Sequence, residues 1–442
     1  MDMPRQSLRP PPPARRRGAL DLVMGTRLGK LLGRFGRAAK PASGEGLLDL
    51  AGDLLSLRGR ASGPALASAF FDQYEASTVS ARQEFLAQLY ANYPRDPEAI
   101  DQAMARWQKD RDEASARALN MATESPCLRL IEMLNLAPDG TRRLLAMRSD
   151  LLDAPPGNPG LKALDAEFKD AFSAWFNAGF LELRRLTWET PASVLEKIIE
   201  YEAVHSIAGW QDLRRRVEPV DRRCYGFFHP QMPDEPLIFV EVALTVEVPG
   251  AIDTILSEKR KHIAPREAAC AIFYSISNCQ KGLLGIPFGN FLIKRVAGLL
   301  SKELPQLKTF ATLSPVPGFA AWLKLELGEE TKVPGDRQLR ILAAKYLVSG
   351  RSRKGNVLDS VARFHLGNGA RLEAIHTGAD MSANGLRQAH GVMVNYVYDM
   401  DEIEANHFAL FELDTVPASK GVMALVEAGQ PKVEKAGKKR AA

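Results

Sequence analysis

The sequence predicts a two-domain α+β protein, in which an all-helical N-terminal domain precedes an α/β domain. Three observations predict it. Residues from about 45 to 215 carry apolar side chains at helical spacing, broken by helix-start signals. Strand-like runs of β-branched and aromatic residues begin only near Cys224. Residues 268–313 then read as strand, loop, helix and strand, which is a βαβ unit.

The ends of the chain come first. Residues 1–40 hold ten Arg/Lys against two Asp, and residues 431–442 hold five against one Glu. The formal net charge of +5 therefore sits in two tails, and the body between them is acidic. That excludes a nucleic-acid-binding core, which concentrates Lys and Arg on one folded face. The four consecutive prolines from Pro10 make residues 1–44 a disordered basic tail, and residues 426–442 are expected to be another. The segment after Arg15-Arg16-Arg17 contains Asp21 and makes a poor secretory signal. No apolar run approaches the ~18 residues of a membrane span, so a cytoplasmic protein is expected. Cys127, Cys224, Cys270 and Cys279 form no CxxC pair, and the seven histidines form no HExxH. Neither a disulfide framework nor a metal site is expected.

In the helical region, Asp96-Pro97 is an N-cap followed by proline at the first helical position. Thr190-Pro191 repeats the signal, and Val194, Ile198, Tyr201 and His205 then share one face, which makes His205 a core histidine. PPGNPG at 155–160 divides the region into two helical parts. Further on, CYGFFH and PLIFVEVALTV form a hairpin around a long turn, PQMPDE. AACAIFYSIS is a strand, NFLIKRVAGLLSKEL a helix stopped by Pro305, and LKTFATL the returning strand. Two short helical segments follow. The end alternates again as VARFHL, RLEAIHTG and GVMVNYVYD.

Two features could carry chemistry. QKGLLGIPFGN, at 280–290, joins a strand to a helix start. Its glycines let backbone approach a ligand, and the free N–H groups of the helix suit a phosphate. It lacks the GK[ST] of a Walker loop, and its spacing is closer to the pyrophosphate loop of acyl-CoA acyltransferases. Ser314 ends the returning strand in FATLSPVPGF. Pro315 biases it toward extended geometry and projects its hydroxyl from a strand end, where α/β sheets place ligands. No GxSxG surrounds it, so it is not a hydrolase nucleophile. Pattern alone leaves Ser314 between a plain turn and a functional hydroxyl. It also leaves His365 between a core residue and a catalytic one, with His376, His390 and His407 as rivals. His229 and His262 read as loop or surface positions.

The ordered set DRRCYGFFHP, EPLIFVEVALT, AIFYSIS, QxGLxGxxxGxFLIKRV, LSPVPGF, VARFHLxNGAxL and GVMVNYVYD resembles the malonyl-CoA decarboxylase family over roughly residues 160–400. The resemblance implies a helical oligomerisation domain at 45–215 and a GNAT-like acyltransferase-type catalytic domain at 216–425. It implies conversion of malonyl-CoA to acetyl-CoA and CO2 without cofactor, metal or biotin, by a homo-oligomer, a tetramer. The family's catalytic serine and histidine fall on Ser314 and His365. Its substrate-binding positions fall on Leu284, Gly285, Ile286, Pro287, Phe288, Gly289, Asn290, Ser314, His365 and Tyr398. Decarboxylation leaves an enolate, which fixed donors stabilise. A histidine titrating near neutrality suits delivery of the proton to carbon. The chain departs from the family pattern at Ser360, where proline is common, and at Gln388-Ala389-His390, where serine often stands. An acyl-CoA-dependent N-acyltransferase on the same fold is the alternative.

Overall fold

The computed structural model describes residues 44–286, 289–328 and 332–429. The two predicted tails lie outside these residues, apart from Gly44 and the last turn of a helix, Lys420–Ala428.

Among the described residues, eight helices, from Gly44–Leu55 to Pro159–Trp175, precede the first strand. Their starts follow local chemistry. The Asp96 carboxylate accepts from the backbone N–H groups of Glu98 and Ala99, and Pro97 occupies the first helical position, where no N–H is needed. Asn158 and Pro159 repeat this at the PPGNPG stretch. That stretch is only a turn, because helices on both sides of it bury Leu144, Leu164, Phe168 and Phe172 in one core. The same core continues into the sheet through Phe227, Val240 and Phe273.

The sheet begins earlier than expected. Strand β1, Glu182–Leu186, lies inside the stretch read as helical. It is an edge strand, and Arg184 and Arg185 give it no apolar alternation to read. Strands β2 (Arg222–His229), β3 (Met232–Thr245) and β4 (Cys270–Asn278) continue an antiparallel meander. The β2–β3 turn is short, not long, because Met232 already pairs with His229 and irregularities absorb the rest of PQMPDE.

The helix Gly289–Glu303 then crosses over, and β5 (Thr309–Thr312) returns parallel to β4. Strands β6 (Ser314–Pro315), β7 (Arg371–His376) and β8 (Met393–Tyr398) complete the sheet in the order β1-β2-β3-β4-β5-β8-β6, with β7 on β8. The fold class is as the sequence predicts, helices first and an α/β sheet after.

The β4–β5 pairing is short. It covers Cys270 to Phe273 against Thr309 to Thr312, and Leu313 N–H to Phe273 O (3.1 Å) is its last rung. Pro315 brings no N–H to continue the ladder, and Ser314 pairs with Val394 of β8 instead. Beyond Phe273, β4 and β6 diverge.

One local expectation fails. VARFHL is not a strand but part of the helix Ser360–Gly367, capped by Asp359 and burying Ala362, His365 and Leu366. Six residues are too few for periodicity to separate helix from strand.

Candidate active site

The divergence of β4 and β6 opens a cavity of about 460 Å³. Phe273, Ser275 and Ile276 of β4 form one wall, Ser314 and Pro315 the other, and Phe364, His365 and Asn368 close it. Both candidate catalytic side chains are buried there, Ser314 at 5% and His365 at 3% exposure.

Ser314 Oγ lies 3.1 Å from His365 Nε2. His365 Nδ1 lies 2.8 Å from the Tyr398 hydroxyl. The Tyr396 ring stacks on the imidazole at 4.7 Å, and Phe364 meets it edge-on at 5.1 Å. This surround has an electrostatic consequence. Burial pushes the imidazole down to about 3 and holds the Tyr398 phenol well above its ordinary value. The histidine is therefore neutral near pH 7, which corrects the expectation of near-neutral titration. Tyr398 stays protonated.

Asp359 joins the two segments that carry the pair. One carboxylate oxygen accepts from Val361 N–H (2.9 Å) and Ala362 N–H (3.0 Å), which starts the His365 helix. The other accepts from Gly318 N–H (3.3 Å) and the Tyr346 hydroxyl (3.4 Å), which holds the turn after Ser314. A side chain on Gly318 would meet the Tyr346 hydroxyl at 2.3 Å, so only glycine lets the turn sit this close.

The expected substrate-binding loop borders the cavity unevenly. Ile286 lines it, Leu284 is 60% exposed, and Gly285 turns the chain at φ +78°. Gly289 and Asn290 open the crossover helix, and Pro287 and Phe288 lie outside the described residues. The loop is braced from the helical region. The guanidinium of Arg148, itself fully buried, donates to Gly282 O (2.5 Å) and Leu284 O (2.8 Å) while paired with Asp165 at 3.0 Å.

Several site residues escaped the sequence reading. Thr312 Oγ1 accepts the Ser314 hydroxyl at 2.8 Å. Ser275 donates to the buried Glu202 at 2.7 and 2.8 Å. Asn368 Nδ2 is buried at the cavity wall with no partner among the described residues. Only Asp359 had a local signal, a residue type that favours helix N-caps. Of the rival histidines, His376 bonds Asn395 and His390 caps a helix in a left-handed conformation. His407 sits at the cavity mouth against Phe411, 4.5 Å away. His205 lies past the end of its helix, its Nε2 buried without a partner among the described residues and its imidazole pushed down to about 4 by burial.

Comparison with known proteins shows the family. The family model for the malonyl-CoA decarboxylase N-terminal domain matches residues 93–176, and that for the C-terminal domain matches 179–336 and 335–436. The chain belongs to the malonyl-CoA decarboxylase family. The mitochondrial malonyl-CoA decarboxylase of Mus musculus is 34% identical over 79% of this chain and 82% of its own. That of Anser anser anser is 36% identical over 67% and 68%. The crystal structure of malonyl-CoA decarboxylase from Rhodopseudomonas palustris is 45% identical, with a TM-score of 0.81 over 87% of this chain and all of that one. The Agrobacterium vitis structure is also 45% identical, at 0.81 over 86% and 99%. The reaction of a malonyl-CoA decarboxylase is loss of CO2 from malonyl-CoA. No helix among the described residues is long and apolar enough to cross a membrane.

Proposed function

We propose that the Ser314–His365 pair carries this decarboxylation, with neither metal nor biotin. The observation that carries the reading is the 3.1 Å contact between the two side chains at the wall of the cavity. In the reaction the bond between the α-carbon and the carboxylate breaks. Its electron pair passes to the thioester carbonyl, and CO2 leaves. The thioester is its own electron sink, so no carrier is needed. The resulting enolate takes a proton at the α-carbon, and each turnover takes up one proton from solvent. A fixed donor from His365, whose ring Ser314 Oγ holds in place, stabilises the developing negative charge. The bound carboxylate raises the proton affinity of the neutral imidazole, which then delivers the proton. The aromatic walls favour conversion of a carboxylate into neutral CO2. Ser314 aligns the malonyl group and forms no acyl-enzyme.

The CoA arm is assigned to the loop at 284–290, where the start of the crossover helix offers N–H groups to phosphate. The proposal includes a cytoplasmic homo-oligomer, a tetramer assembled through the helical domain. Light scattering that finds a monomer would remove that part.

The test is to supply malonyl-CoA alone. Acetyl-CoA and CO2 should form in equal amounts, unaffected by EDTA or avidin. Free CoA released only after an amine is added would mark an acyltransferase instead.

A further inference from the structure

We infer that Thr312 is a positioning residue, which sets the direction of the hydrogen bonds through Ser314 and keeps the His365 proton on Nε2, facing the cavity. The inference rests on the reading of Ser314 and His365 given above.

Thr312 is fully buried at the end of β5, two residues before Ser314. In an extended chain, residues i and i+2 point to the same face, so its hydroxyl lies beside that of Ser314. Its Oγ1 receives two donors. The Tyr396 backbone N–H, at 3.2 Å, can only donate. The Ser314 hydroxyl donates to the same oxygen at 2.8 Å. With its proton committed to Thr312, Ser314 Oγ is left as an acceptor toward His365 Nε2 at 3.1 Å. A neutral imidazole carries one N–H, and this arrangement puts it on Nε2. Nδ1 is then an acceptor, and the Tyr398 hydroxyl donates to it at 2.8 Å.

All of these bonds therefore run one way, from Tyr398 to His365 to Ser314 to Thr312. The opposite direction would place the proton on Nδ1 and turn the serine hydroxyl toward the histidine, as in an activated nucleophile. The position of Thr312 is itself secured. Asn395 Nδ2 donates to Thr312 O at 2.8 Å, and Asn395 Oδ1 is fixed by His376 Nε2 at 2.5 Å. Tyr396, whose N–H Thr312 holds, carries the ring stacked on His365.

The experiment combines kinetics with nitrogen NMR of histidine-labelled enzyme, using His365→Asn to assign the resonance. The wild type should show His365 protonated at Nε2. Thr312→Val keeps the shape and removes the acceptor. It should shift the tautomer toward Nδ1–H and lower kcat about tenfold or more, with KM within about twofold. Thr312→Ser restores a hydroxyl and should recover most of kcat and the Nε2–H signal. Three results would overturn the inference: an Nδ1–H tautomer in the wild type, an unchanged kcat in Thr312→Val, or a Thr312→Ser enzyme as slow as the valine variant. Should Thr312→Val fail to fold, the wild-type tautomer and the serine variant still decide. Retention of activity in Ser314→Ala or His365→Asn would instead overturn the underlying reading. Loss in those two with none in Thr312→Val would overturn only the role of Thr312.

Discussion

Arg148 offers a test of how the helical region serves the site. Replacing it with methionine keeps much of the volume and removes the charge. Three hydrogen bonds are lost, to Gly282 O, Leu284 O and Asp165 Oδ1. Asp165 is not stranded, because Lys169 remains 2.6 Å away. A hydrogen bond from a charged donor contributes about 1.5–3 kcal/mol, so the two bonds to the loop carbonyls amount to about 3–6 kcal/mol. With an unfolding entropy of about 2.1 cal/mol/K per residue, that lowers Tm by roughly 4 °C in a chain of 442 residues. The freed loop should bind the CoA arm less well and raise KM for malonyl-CoA about tenfold, one factor of ten per 1.4 kcal/mol. The Ser314–His365 pair does not touch Arg148, so kcat should stay within about twofold. Steady-state kinetics and a thermal melt read both effects. An unchanged KM, or a fall in kcat alone, would refute a bracing role for Arg148.

Three further predictions follow from the same geometry. Asp359→Ala removes the cap of the His365 helix and the tie to Gly318 together, and should cost about 2–4 kcal/mol in urea unfolding and lower kcat; a loss in stability with full kcat would detach Asp359 from the pair. Tyr398→Phe removes the bond to His365 Nδ1 and should lower kcat about tenfold while changing stability by no more than about 1 kcal/mol. An unaltered kcat would show that Tyr398 does not orient the ring. The third prediction concerns pH. The folded-state value of His365, about 3, lies below its unfolded value, so the unfolded chain binds the proton first as pH falls. Its stabilising contribution is complete above about pH 6.5 and is lost toward pH 3, at about 1.4 kcal/mol per pH unit. Unfolding curves of wild type and His365→Asn between pH 6 and 4 should differ by that slope; parallel curves would mean the imidazole is not desolvated.

Much of this was legible in the sequence, for reasons that are local. Pro97 and Pro191 mark helix starts whatever surrounds them. The Ser314-Pro315 strand end was readable because proline restricts the residue before it. What escaped depends on distance in the chain. Arg148 meets Gly282 across 134 residues, and Ser275 meets Glu202 across 73. β1 is a charged edge strand and leaves no alternation to detect. The histidine segment was too short to declare itself a helix. The expectation of a near-neutral imidazole failed because Tyr396, whose ring stacks on it, is brought there only by the fold.

The central claim is that Ser314 and His365 act as one unit on the malonyl group. Its most direct test is kcat on malonyl-CoA for Ser314→Ala, His365→Asn and the double variant. Each single change should lower kcat by about a hundredfold or more, and the double variant should be no slower than the worse single one. A near-normal rate in either single variant, or losses that multiply in the double, would contradict the account.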